Sequence, residues 1–103
     1  MSKVFDEQQH MSLIAEAAVA YQKAETRRNS LRRELNAMYL TYFRAHGHPY
    51  PDSTKRIDPE DEAFEGVLHF TNAAYRRWVD QRDLTTRLKR KLRTLVGRLE
   101  RAQ

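Results

Sequence analysis

The sharpest chemical pattern in this sequence is a run of cations. Between positions 82 and 103 stand Arg82, Arg87, Lys89, Arg90, Lys91, Arg93, Arg98 and Arg101, against only Asp83 and Glu100. Residues 1–81 hold 11 basic and 12 acidic groups, so the net charge of +5 comes from the last fifth of the chain. Rows of Arg and Lys bind phosphate backbones because each neutralised phosphate releases condensed counterions. Arg87, Arg90, Lys91, Arg98 and Arg101 recur at helical spacing along one side. Lys23, Arg27, Arg32 and Arg33 extend the same character toward mid-chain. No aromatic lies between 82 and 103, so base stacking is not available there. Contacts with nucleic acid would fall mostly on phosphates and read little sequence. The same cations would also steer the chain toward an acidic protein surface, or simply solvate one face of a helix.

Other constellations offer less. Asp58, Glu60, Asp61, Glu62 and Glu65 lack the loop spacing and turn glycine of a calcium site, and they fit the start of a helix, where the dipole favours negative charge. His10, His46, His48 and His69 match no zinc spacing. His46 suits a helix C-terminus, where a cation is favoured. His48, Asp52 and Ser53 are triad-type residues, but neighbours in one loop rarely reach triad geometry. There is no cysteine, which excludes thiol chemistry and disulfides and fits a reducing, cytoplasmic setting. No apolar run approaches the roughly 20 residues of a membrane span. The expectation is a non-catalytic protein with no cofactor, no metal, no membrane association and no small-molecule substrate, since a two-helix rod has no pocket of ligand size.

Two elements must position these side chains. Ile14, Ala17, Tyr21, Ala24, Arg28, Leu31, Leu35, Met38, Tyr42 and Ala45 alternate spacings of three and four. Nine of these ten are apolar or aromatic, which is a heptad seam. It predicts a first helix over about 6–46. Gly47 is suited to a left-handed C-terminal cap, and Pro49 and Pro51 forbid continuation. Residues 47–57 read as a loop. Asp58 as N-cap and Pro59 at the first helical position then predict a second helix over about 59–101. Its seam runs from Phe64 through Val67, Thr71, Ala74, Trp78, Gln81, Thr85, Leu88, Leu92, Leu95 and Leu99 to Ala102.

The two seams predict an all-α, single-domain antiparallel hairpin. Matching the helix ends puts residue i near residue 106 − i. Ala24 then faces Gln81, and Arg28 falls opposite Trp78, where a guanidinium over an indole would explain a cation in the seam. Apolar residues outside the seam gather near the loop: Tyr39, Leu40, Phe43, Leu68, Phe70, Tyr75 and Val79. They predict a protein interface, with a homodimer closing a four-helix bundle as the leading expectation. Alternatively, the loop folds back over them through Tyr50 and Ile57. Two functions follow. The chain is a small regulatory DNA- or RNA-binding protein presenting its basic helix to phosphates. Alternatively, it is an adaptor or inhibitor docking on a larger protein through the aromatic patch, with the basic end steering.

Overall fold

The computed structural model describes residues 5–103, which fold as an all-α helical hairpin. Helix α1 spans Glu7–His46 and helix α2 spans Glu65–Ala102. No strand occurs among the described residues, and none of their helices is long and apolar enough to cross a membrane.

Both ends of α1 follow the sequence signals. The Asp6 carboxylate accepts from the Gln9 N–H at 3.0 Å and so satisfies one of the free N–H groups of the first turn. At the other end Gly47 takes φ +79° and donates its N–H to the Phe43 carbonyl at 2.7 Å. Only a residue without a Cβ adopts that conformation at little cost.

The start of α2 differs from the expectation. Asp58 does not cap a helix beginning at 59. Its carboxylate takes the Glu60 N–H at 2.9 Å and its carbonyl takes the Asp61 N–H at 3.1 Å. That closes a turn with Pro59 at its second position, where a fixed φ is equally at home. Asp61 is the working cap, accepting from the Ala63 N–H at 2.9 Å. A 3₁₀ turn over Glu62–Phe64 follows, and α2 proper begins at Glu65. The non-helical segment therefore runs to 61 rather than 57.

The hairpin divides into two compact units. The loop unit is Asn29–Val79. Leu31, Leu35, Phe64, Val67, Thr71 and Ala74 form its core, with Leu35 and Phe64 fully buried. Burying side chains of this kind stabilises by about 1.5–3 kcal/mol each. Thr71, a polar break in the seam, returns its hydroxyl hydrogen to the Val67 carbonyl at 2.8 Å. The loop packs back on this core: His48 lies against Phe43 and Phe64, and Tyr50 against Phe64.

Arg32 lies over Trp78, 4.7 Å from the ring centroid, one turn along α1 from the Arg28 that the matched ends placed opposite it. Arg28 stands 3.8 Å from the Glu25 carboxylate.

The open-end unit comprises Met1–Arg28 and Asp80–Gln103. Its buried residues include Ala17, Ala24, Leu95, Thr85 and His10. Gln81, expected opposite Ala24, donates to the Ala24 carbonyl at 3.2 Å, and His10 Nε2 donates to the Leu95 carbonyl at 2.6 Å. The Thr85 hydroxyl lies 2.7 Å from the Gln81 carbonyl and 3.2 Å from that of Ala24. The polar residues that interrupt the α2 seam thus hydrogen-bond to helix backbone, and among the described residues no buried side-chain polar atom is left unpaired.

Candidate nucleic-acid interface and a groove beside the loop

All eight cations of 82–103 are exposed on α2. At about 100° per residue they fall into two stripes. Arg87, Arg90, Lys91, Arg98 and Arg101 share the side turned away from the Leu88, Leu92, Leu95 and Leu99 seam. Arg82, Lys89 and Arg93 lie along a second line. Arg82 pairs with Asp83 at 3.3 Å, whereas the other seven have no carboxylate within 4.0 Å among the described residues. The hydrogen bond to Glu25 raises the pKa of Tyr21, burial and the Glu25 charge add to it, and Arg28 and Arg93 pull it down. Met1–Arg28 with Asp80–Gln103 holds 12 basic and 7 acidic residues, while Asn29–Val79 holds seven of each. The whole net charge therefore belongs to the open-end unit. Lys23 and Arg27 are exposed there, and Arg32 and Arg33 are exposed in the loop unit.

The seven apolar candidates near the loop do not share one face. Leu68 and Tyr75 lie seven residues apart on one side of α2, and Phe70 sits about 140–160° around the helix from them. Phe70 packs against Tyr42, with ring centroids 5.7 Å apart. Phe43 is half-buried under His48, and Val79 is half-buried as well. Leu40, Phe70 and Tyr75 remain 57%, 48% and 44% exposed. Gly66 owes its place to Tyr42, whose hydroxyl occupies the position a Cβ would take.

On the Leu68–Tyr75 side, the returning loop and the two helices enclose an open groove of about 750 Å³, a feature the expectation of a pocketless rod did not contain. Tyr39, Ile57, Leu68 and Tyr75 supply apolar walls, Asn36 and Asn72 supply amides, and Arg32, Lys55 and Arg56 supply charge. No carboxylate lines it; Glu60, Asp61, Glu62 and Glu65 line an adjoining depression that shares Pro59, Leu68 and Asn72 with it. The floor is held by the loop's own bonds. His48 Nδ1 accepts from the Tyr50 N–H at 2.9 Å, and the Tyr50 hydroxyl donates to Asp61 at 2.7 Å. Lys55 reaches Asp61 at 2.6 Å and lies 4.7 Å over the Tyr50 ring. Lys55, then the Ala63 N–H, then Tyr50 hold the Asp61 carboxyl down at about 2. The same contact raises Lys55 and Tyr50. Sequence reasoning had no signal for this groove, because Asn36 and Asn72 acquire meaning only once the loop's path is known.

Three or more His, Asp or Glu side chains are nowhere grouped to hold a metal ion among the described residues. No protein-family model, no curated protein and no solved structure matches the chain.

Proposed function

We propose that the protein is a non-catalytic, cytoplasmic nucleic-acid-binding protein, a small regulatory or accessory factor whose α2 cations contact the phosphate backbone. The observation that carries this reading is the placement of charge. The open-end unit holds all of the net charge, and one outward stripe of α2 carries Arg87, Arg90, Lys91, Arg98 and Arg101 without carboxylate partners among the described residues. From Arg87 to Arg101 that stripe is about 21 Å long at 1.5 Å per residue, enough to follow several phosphates. Threonine is the only uncharged hydrogen-bonding residue in 84–98, so binding there is governed by backbone charge and not by base sequence.

Electrophoretic mobility shift with random-sequence duplex and single strand tests the reading. The triple variant Arg87→Glu, Arg90→Glu, Lys91→Glu should shift the probes only at higher protein concentration while keeping its helical circular dichroism, because all three side chains are exposed. An unchanged shift in that variant would place binding elsewhere.

A second reading is favoured by the exposure of Leu40, Phe70 and Tyr75: docking on another protein or on a second copy of the chain, with the basic stripe steering the encounter. Sedimentation of the wild type against Phe70→Glu tests self-association. A single monomeric species at high micromolar concentration removes the homodimer.

A further inference from the structure

We propose that the groove of the loop unit is a nucleotide site, taking one aromatic base together with its phosphate. The proposal does not rest on the cations of 82–103, which lie in the other unit. Its volume of about 750 Å³ falls in the usual range for small-ligand sites, roughly 300–1,000 Å³. Three cations and no carboxylate line it, in a unit whose seven basic and seven acidic residues cancel as a whole. With Lys55 paired to Asp61, Arg32 and Arg56 remain as a local excess that suits a doubly charged anion. The walls call for something flat: Tyr39 comes from α1 and Tyr75 from α2, and tyrosine faces stack on any base. Asn36 and Asn72 are exposed and make no hydrogen bond within the described protein, so both amides are open to a base edge, whose donor–acceptor pairs an Asn matches. Arg32 is oriented by its place over Trp78, and Arg56 is exposed on the loop. Lys55 is already committed to Asp61, which leaves Arg32 and Arg56 as the phosphate ligands.

Trp78 is the only tryptophan in the chain, and it lies under Arg32 and 5.9 Å from the Tyr75 ring. Its emission therefore reports on the groove, and calorimetry gives an independent readout. The probes are adenosine monophosphate, adenosine, ribose 5-phosphate and an oligoadenylate hexamer. Adenosine monophosphate should give a saturable response, and adenosine and ribose 5-phosphate should each bind about tenfold or more weaker, since each lacks one half of the recognised group. Asn72→Ala and Arg56→Ala should each weaken binding by roughly tenfold with helicity retained. A hexamer that binds much more tightly than the monophosphate, and is weakened by Asn72→Ala, assigns the site to a nucleotide within a strand; equal affinity assigns it to the free nucleotide. Arg87→Glu, Arg90→Glu, Lys91→Glu should leave monophosphate binding intact even as it weakens duplex binding. The proposal is overturned by no saturable response at millimolar monophosphate, by equal affinity for ribose 5-phosphate, by indifference to both groove variants, or by loss of binding in the charge-reversed variant.

Discussion

At the scale of single residues, the polar and small positions in the seams have specific work. Thr85 and Gln81 converge on the Ala24 carbonyl, and Thr71 serves its own helix. Gly66 lies against the end of the Tyr42 side chain. A Cβ there would overlap the Tyr42 hydroxyl, so Gly66→Ala sets a gain of about 1 kcal/mol in helix propensity against displacement of that ring. Tyr42→Phe removes the overlapping atom. In urea denaturation the Gly66→Ala change should therefore be less favourable in the Tyr42 background than in the Phe background, by about 1 kcal/mol; strict additivity would mean that the two residues do not meet. Leu35 is fully buried, and Leu35→Ala should cost about 2–5 kcal/mol in the same assay. A loss within experimental error would move Leu35 out of the core.

At the scale of elements, the loop is held by one carboxylate. Asp61 accepts from Lys55, Tyr50 and the Ala63 N–H. Its pKa lies near 2 in the fold, below its ordinary value of 3.8. The unfolded loop therefore binds the proton more readily, and the anchor's contribution is present above about pH 4 and disappears as pH falls toward 2. Limited proteolysis in the 51–56 segment should accelerate over that window in the wild type. Asp61→Asn should be cut faster at neutral pH and show no acceleration there; identical wild-type and variant profiles would contradict the anchor. Much of this level was legible in the sequence. The heptad spacing located α1 and the body of α2, and Gly47 located the turn. The start of α2 was misread because Asp58-Pro59 is as good a turn opener as a helix opener, and local residue types do not separate the two. The faces of Phe70 and Tyr75 were in principle readable from helical angle. The loop's path over Phe43 and Phe64 was not, since it depends on tertiary packing of His48 and Tyr50.

At the scale of the whole molecule, a charge-neutral unit carries the loop and its groove, and a unit of net charge +5 carries the open helix ends. The central claim is that the second of these binds phosphates. If four to six of the α2 cations each neutralise one phosphate, log K against log salt should fall with a slope of about −0.9 per contact on duplex, or roughly −4 to −5. The measurement is fluorescence anisotropy of a labelled random duplex titrated with the protein at three salt concentrations. Binding at low salt with that slope is expected, reduced by about three contacts' worth in the Arg87→Glu, Arg90→Glu, Lys91→Glu variant. No binding at the lowest salt, or affinity independent of salt, would contradict it.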